Sequence, residues 1–176
     1  KKFVKIMRNA FAKKITSLAK KNKKIILLSG DIGNRLFDEF KKNHTGRFYN
    51  CGIAEQNMVG VAAGLAIEGY LPVLYTITPF LTSRAFEQIR LDICYPNLNV
   101  LIVGTGAGLS YSRLGPTHHS LEDLGLMQSL PNLDIFCPGD NVELEKILPN
   151  LFKYNKPCYL RLGKKGEPII NNKNKV

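Results

Sequence analysis

The sequence predicts an α/β protein with a doubly wound, mostly parallel sheet of about six strands and helices on both faces. Short apolar segments alternate with segments of helical periodicity along almost the whole chain. The apolar segments are continuous rather than alternating, which is typical of strands buried on both faces of a parallel sheet. A chain of 176 residues is also long enough to bury one sizeable core.

Six segments have the length and composition of buried strands, because each is a short apolar run with β-branched or aromatic residues. The expected strands are residues 23–29, 47–51, 71–76, 98–104, 133–138 and 157–162.

The segments between these strands carry apolar residues at helical spacing. We treat residues 1–163 as one domain and residues 164–176 as a polar tail that is expected to fray. The expected helices are residues 3–21, 34–43, 54–68, 81–93, 121–130 and 140–153.

The composition limits the classes of function. The formal net charge is +11, but much of the excess lies in lysine-rich runs near the chain ends. Aromatic residues are not interleaved with these lysines, as they are in proteins that bind single-stranded nucleic acid. A solvated lysine surface is therefore favoured over a nucleic-acid-binding patch, and an acidic partner subunit is a third interpretation. We expect no nucleic-acid partner.

No apolar run approaches the length of about 18 residues that a membrane-spanning helix needs. A charged amphipathic pattern follows the basic N-terminus, in place of the apolar region of a signal peptide. We therefore expect a cytoplasmic protein that has no membrane partner. The four cysteines contain no C-x-x-C pair, so the sequence indicates neither a zinc site nor a redox dithiol.

Ligands of doubly wound sheets bind beyond the carboxyl ends of strands, so the loops after strands 47–51, 71–76 and 98–104 are candidate site segments. After the first of them, Glu55 starts a helix that continues with "MVGVAAGLA". The helix dipole alone explains a glutamate in a first turn. However, the uncharged helix behind Glu55 and the flexible Gly52 before it indicate a buried carboxylate. Burial favours the protonated form, which can hold and pass on a proton.

The other two loops contribute an aromatic ring and two histidines. Phe80 follows a proline near the mouth of the sheet, where it could pack in the core or stack on a ligand ring. The G-x-G-x-G at 104–108 is no dinucleotide-binding motif, because no helix clearly opens on it. His118 and His119 are adjacent and point apart, and no carboxylates cluster with them, so we expect no metal there.

Several segments resemble the pyrimidine-binding domain of transketolases. They are, in order, "GIAEQNMVGVAAGLA", "RAFEQIR", "GPTHHSLEDLGLMQSLPN" and "PGD" at 138–140. The similarity covers residues 24–163 and is greatest to split transketolases, whose two halves are separate chains; 1-deoxyxylulose-5-phosphate synthases share the pattern more loosely. The resemblance implies a thiamine diphosphate-binding fold and an enzyme that transfers a two-carbon ketol unit between sugars or sugar derivatives.

The resemblance also implies roles for particular residues. Glu55 would hydrogen-bond N1′ of the aminopyrimidine of thiamine diphosphate and so promote removal of the proton from C2 of the thiazolium. Gly52 and Ile53 would contact the edge of the pyrimidine, and Phe80 would line its pocket or stack on it. His118 would face the substrate, bond its carbonyl or hydroxyl oxygen and relay protons.

Two positions depart from the family pattern. The usual T-H-Q is T-H-H here, so His119 is an additional candidate substrate contact. Many family members have an acidic residue two positions before the proline of G-P-T-H, where this chain has Leu114 preceded by Arg113. A standard sugar phosphate is therefore not the only candidate, and Arg113 would suit an anionic or nucleotide-linked sugar.

The motif that binds the diphosphate and Mg²⁺ in this family, a G-D-G followed by a distant asparagine, is absent from the sequence. The resemblance thus implies that a separate diphosphate-binding subunit holds the Mg²⁺ and that the chains assemble as an α2β2 heterotetramer. Gly60, Ala63 and Gly64 would let another helix approach closely, either across such an interface or within this chain.

Two alternatives stay open at the level of the sequence. The chain could be half of another thiamine diphosphate enzyme, such as a synthase, a decarboxylase or a 2-oxoacid dehydrogenase, although the T-H-H loop argues against the last. It could instead be a non-catalytic basic α/β binding module, in which Glu55, Phe80 and His118 are core or cap residues.

Overall fold

The computed structural model describes residues 6–164 and 166–171. Residues 3–5 of the expected first helix, and residues 165 and 172–176 of the expected tail, lie outside this range. The sheet contains six strands, as expected. They are β1 (Ile25–Ser29), β2 (Phe48–Asn50), β3 (Leu71–Ile77), β4 (Leu101–Thr105), β5 (Asp134–Phe136) and β6 (Cys158–Leu162).

The six strands form one sheet in the order β2-β1-β3-β4-β6-β5, and every pairing among them is parallel. The sheet is thus entirely parallel, where the sequence predicted a mostly parallel one. Because parallel strands end at the same edge, the loops that follow β1 to β4 lie side by side.

Helices cover both faces of the sheet, which confirms the doubly wound α/β class. They are α1 (Met7–Lys21), α2 (Asp38–Asn43), α3 (Glu55–Ile67), α4 (Thr78–Thr82), α5 (Phe86–Gln88), α6 (Asp123–Gln128) and α7 (Asn141–Leu151).

Two apolar clusters fill the space between the helices and the sheet. Successive residues of β1 pack alternately in one cluster and in the other, because side chains point to opposite faces along a strand. Ile25 and Leu27 pack with α1, α2 and α7 on one face. Ile26 and Leu28 pack with α3 and the helices after β3 on the other. Burial on both faces explains why the strand is continuously apolar.

The expected helix 81–93 is the main difference from the sequence prediction. The helical segment begins earlier, at Thr78, with Pro79 in its first turn, where the missing N–H of proline costs no hydrogen bond. It then breaks into α4, α5 and a π-helix over Ile89–Cys94. Apolar periodicity cannot distinguish this arrangement from one regular helix, since the hydrogen bonds of a π-helix span only one residue more than those of an α-helix.

Asp140, in the P-G-D segment, joins the start of α7 to the chain after β6. Its Oδ1 accepts hydrogen bonds from the backbone of Val142 and Glu143 at 2.9 and 3.0 Å. Its Oδ2 accepts from the backbone of Ile170 and Asn171 at 2.8 and 2.7 Å. This part of the expected polar tail is therefore bonded to the domain and is not frayed.

Burial alone would raise the pKa of Asp140, but the backbone hydrogen bonds from Glu143, Asn171 and Ile170 lower this pKa to about 2. The pKa is thus lower in the folded than in the unfolded chain. The resulting stabilisation is present above the unfolded value of about 3.9 and is lost as the pH falls towards 2.

Replacing Asp140 with alanine should lower the free energy of unfolding by about 2–4 kcal/mol, because a helix cap is lost and buried N–H groups lose their acceptor. Urea unfolding at pH 7 measures this loss. The acid-induced loss of stability between pH 4 and pH 2 should also shrink in the variant. Asp38→Ala is the control, since the pair between Asp38 and Lys41 is largely exposed. Equal stability of the two variants would contradict the role of Asp140.

Candidate functional site

The candidate site lies at the carboxyl edge of the sheet, where the segments after β2, β3 and β4 meet. Glu55 comes from the first of these segments, Arg84 and Phe80 from the second, and His118 from the third. A chain of contacts joins the four side chains from Glu55 to Arg84, from Arg84 to Phe80 and from Phe80 to His118. The structure therefore brings together three residues that the sequence predicted, with Arg84 between them.

Glu55 is the first residue of α3, and its side chain is only 1% exposed. This position agrees with both sequence interpretations, a charge at a helix N-terminus and a buried carboxylate. Its Oε2 accepts a hydrogen bond from Nη1 of Arg84 at 2.7 Å, so the carboxylate is ion-paired. The sequence did not predict this partner, although Arg84 stands in the "RAFEQIR" segment.

The strand edge leaves little room around Glu55. A Cβ atom added at Gly30, directly after β1, would lie 3.2 Å from Cγ of Glu55 and 3.0 Å from Oγ1 of Thr76. Such a contact is tighter than nearly all real Cβ contacts, so a larger residue at position 30 would displace the carboxylate. The absence of a side chain at Gly30 allows the acid to sit against the sheet.

A tight turn aims the start of α3 at the sheet edge. Gly52 has φ +70, a left-handed conformation that favours glycine. Its N–H donates to Oδ1 of Asn50 at 3.0 Å, and the amide of Asn50 donates to Asp31 at 3.0 Å. The next residue, Ile53, is 77% exposed and presents an apolar side chain to solvent beside the buried acid.

Phe80 lies in α4, directly after β3, and is half-buried. The His118 ring meets it nearly edge-on, with centroids 5.2 Å apart and an interplanar angle of 66°. The Tyr111 ring lies 5.5 Å from His118 on another side. These aromatic contacts hold the imidazole between two rings and leave it partly exposed.

Thr117 orients His118 through a hydrogen bond of 2.9 Å between Oγ1 and Nδ1. The Thr117 hydroxyl can also donate to the carbonyl of Leu114 at 3.2 Å. Nδ1 of His118 is therefore engaged by Thr117, whichever of the two atoms donates, and Nε2 is the ring nitrogen on the side away from this contact.

The segment that carries His118 is a closed loop. Gly108 and Ser120 exchange two backbone hydrogen bonds, of 2.8 and 3.0 Å, and form an isolated antiparallel bridge. A 3₁₀ turn over Ser112–Thr117 lies between them. His119 bonds the carbonyl of Ser112 through Nε2 at 3.0 Å and so braces the loop from within.

The other predicted substrate contact, Arg113, is exposed on the 3₁₀ turn, as is Leu114. Arg113 does not line the cleft beside this loop. The side chain of Arg113 is therefore exposed and stands apart from the contacts that join Glu55, Phe80 and His118.

A cleft of about 570 Å³ that the sequence did not predict lies between α1, the segment after β1 and the carboxyl ends of β3 and β4, with Tyr111 in its lining. Tyr111 connects the cleft to the candidate site, because its side chain lines the cleft and its ring contacts the imidazole of His118. The buried Nε of Arg8 has no hydrogen-bond partner among the described residues. No motif marks this arginine, since α1 shows only an amphipathic pattern. The cleft has one acidic side chain, Glu39, and its cationic and hydroxyl side chains are Arg8, Lys13, Thr16, Arg35, Tyr75, Thr105 and Tyr111.

The described residues contain no group of three histidine, cysteine, aspartate or glutamate side chains that could hold a metal ion. Within the same residues, no helix is both long and apolar enough to cross a membrane.

The arrangement of a buried acid at a helix start, an adjacent aromatic ring and a histidine loop defines the class of domain that the resemblance predicted. The family model described as "Transketolase, pyrimidine binding domain" matches residues 5–167. The chain therefore belongs to the transketolase pyrimidine-binding domain family, which confirms the resemblance.

Relatives with this domain include one protein named as a transketolase subunit and one named as a transketolase section. An apulose-4-phosphate transketolase subunit of Actinobacillus succinogenes is 44% identical over 76% of this chain and 43% of its own length. A putative transketolase C-terminal section of Methanocaldococcus jannaschii is 35% identical over 93% of this chain and 52% of its own. The chain thus spans about half the length of these relatives.

Solved structures of transketolases have the same fold as this chain. The protein described as "Split gene transketolase, inactive beta4 tetramer" superposes with a TM-score of 0.86 and 39% identity, over 98% of this chain and 56% of that one. A transketolase from Leishmania mexicana superposes with a TM-score of 0.83 at 21% identity, over 94% of this chain and 26% of that one, which supports the fold alone.

Proposed function

We propose that this chain is the small subunit of a two-chain, thiamine diphosphate-dependent transketolase. It transfers a two-carbon ketol unit between sugars or sugar derivatives. The observation that carries the proposal is the buried carboxylate of Glu55, held within one continuous set of contacts that includes Phe80 and His118. The names of the relatives, a transketolase subunit and a transketolase section, support the same reaction.

The site fits the pyrimidine half of the cofactor. Glu55 provides a carboxylate that is shielded from water, and Phe80 provides an aromatic face. Gly52 and the exposed Ile53 lie just before Glu55 in the chain and would contact the edge of the pyrimidine ring. Thiamine diphosphate, when bound, supplies the carbon nucleophile of the transfer. The role of Glu55 is to hold a proton at the pyrimidine nitrogen in a site of low dielectric.

His118 acts on the substrate side of this site. Its Nδ1 is engaged by Thr117, so we assign to Nε2 the exchange of a proton with a substrate hydroxyl. His119 is already bonded to the loop backbone, and its contribution is to hold the loop in shape as well as to border the substrate. Arg113 is exposed on the same loop and would contact a distal part of the substrate.

The substrates carry an anionic group, which the cleft lined by Arg8 and Tyr111 receives. The buried Nε of Arg8 lacks a partner among the described residues, and Arg8, Lys13 and Arg35 outnumber the one acidic side chain of the cleft, Glu39. A phosphate on the sugar would supply the missing acceptor for Arg8. One relative is named for a phosphorylated sugar, which agrees with this assignment.

A diphosphate-binding subunit completes the enzyme and holds the Mg²⁺. The similar solved structure of a split-gene transketolase supports this division of the site between two chains. Two copies of each chain form an α2β2 assembly in the cytoplasm. The small-residue face of α3 suits this contact. Gly60 and Gly64 are exposed, and a Cβ atom at either would meet nothing within 4 Å, whereas Ala63 is buried within the chain.

Calorimetry with thiamine diphosphate and Mg²⁺ tests the proposal, first on this chain alone and then on its mixture with the diphosphate-binding subunit. Tight binding is expected only in the mixture, because each chain supplies one half of the site. Thiamine pyrimidine analogues without the diphosphate serve as the control ligand. An absence of binding in the mixture would refute the proposed function.

A further inference from the structure

Arg84 engages the first two residues of α3, which are both polar. Its Nη1 donates to Oε2 of Glu55 at 2.7 Å, and its backbone carbonyl accepts a hydrogen bond from Nε2 of Gln56 at 3.1 Å. Its guanidinium carbon lies 4.2 Å from the centroid of the Phe80 ring. The side chain of Arg84 thus contacts both Glu55 and Phe80, the two residues that the proposed function assigns to the pyrimidine of the cofactor.

A guanidinium group shares with an aminopyrimidine the properties that such a site recognises. Both are planar, both stack on aromatic faces, and both can hydrogen-bond the side chain of Glu55: the guanidinium donates an N–H to it, and the pyrimidine nitrogen shares the proton of the acid. The Oε2 atom of Glu55 and one face of Phe80 are already covered by Arg84. A pyrimidine that used the same carboxylate oxygen and the same ring face would have to displace this side chain.

We propose that Arg84 is an internal competitor of the cofactor, whose guanidinium fills the pyrimidine position in the cofactor-free chain and leaves it when the pyrimidine binds. This inference rests on the proposed function. The ion pair protects the buried carboxylate until then, because an uncompensated buried charge is strongly unfavourable. The Arg84 side chain is 42% exposed, so it can move into solvent without disturbing the apolar core.

Competition by Arg84 predicts the direction in which the cofactor affinity changes when Arg84 is removed. Contacts made only in the cofactor-free state reduce the apparent affinity by the fraction of molecules in which the site is open. Removing those contacts should therefore tighten binding. A residue that instead held the bound cofactor would weaken binding when removed, and a purely structural residue would change stability alone.

The test compares wild type, Arg84→Lys and Arg84→Ala, each assembled with the diphosphate-binding subunit. Calorimetry with thiamine diphosphate and Mg²⁺ gives the dissociation constant of each complex. We expect Arg84→Ala to bind about tenfold more tightly than wild type, as for a site that is open in about one molecule in ten. Arg84→Lys should be intermediate, since an ammonium keeps the charge but not the planar stacking. Arg90→Ala, at an exposed arginine of the following π-helix, is the matched control and should bind as wild type does.

A second measurement concerns the cofactor-free chain. Arg84→Ala should lower its Tm because Glu55 loses its partner, and this loss should disappear when Glu55→Gln is already present. Equal or weaker cofactor binding by Arg84→Ala and Arg84→Lys, with normal binding by wild type, would overturn the competition. A wild-type complex that binds no thiamine diphosphate would overturn the proposed function itself.

Discussion

Glu55→Gln is expected to leave the chain folded and to slow activation of C2 of bound thiamine diphosphate by about 10²- to 10⁴-fold, the range for loss of a general acid or base. Glutamine preserves the size of the side chain but cannot exchange the proton at the pyrimidine nitrogen. Arg84 is partly exposed, so it can turn to solvent once the carboxylate is gone. The fold should therefore survive.

Hydrogen–deuterium exchange at C2 in the assembled complex measures this effect directly, without relying on a sugar substrate. Glu87→Gln is the control, since Glu87 is exposed on α5 and its replacement removes the same charge from the chain. Circular dichroism and assembly with the diphosphate-binding subunit check that the variant is intact. An exchange rate equal to that of wild type would exclude Glu55 as the acid.

His118→Ala should lower kcat/KM for the ketol transfer by about 10²-fold or more, while cofactor affinity changes by only a few-fold. The imidazole contacts Phe80, Tyr111 and Thr117 but is not bonded to Glu55 or Arg84. Its removal therefore affects substrate chemistry more than pyrimidine binding.

Steady-state kinetics and calorimetry on the same preparation separate the two effects. His119→Ala should cost less than His118→Ala, because its Nε2 is already bonded to the carbonyl of Ser112. Loss of cofactor binding in His118→Ala would place this histidine in the cofactor site instead of the substrate site.

The order and type of the elements could be predicted from the sequence because the strands are buried on both faces and read as unbroken apolar runs. The loops after β2, β3 and β4 could be selected because they follow strands at the carboxyl edge, and the resemblance to the transketolase pyrimidine-binding domain singled out Glu55, Phe80 and His118 within them. Their contact with one another depends on the strand order, which aligns β2, β1, β3 and β4 in neighbouring positions.

The ion pair with Arg84 and the cleft at Arg8 could not be predicted in the same way. Arg84 lies 29 positions after Glu55, in a segment whose break into α4, α5 and a π-helix is invisible to apolar periodicity. Arg8 is far from Tyr111 in the sequence, and only the packing of α1 against the sheet brings them into one cleft. Such contacts are tertiary and leave no local pattern.

The paired backbone bonds between Gly108 and Ser120 have a consequence for how this enzyme family can diversify. They close residues 109–119 into a unit whose two ends already meet. A different sequence between those ends changes little in the chain-closure entropy, which grows only slowly with length. The loop can therefore vary in length and sequence around Thr117 and His118, while β4 and α6 stay as they are.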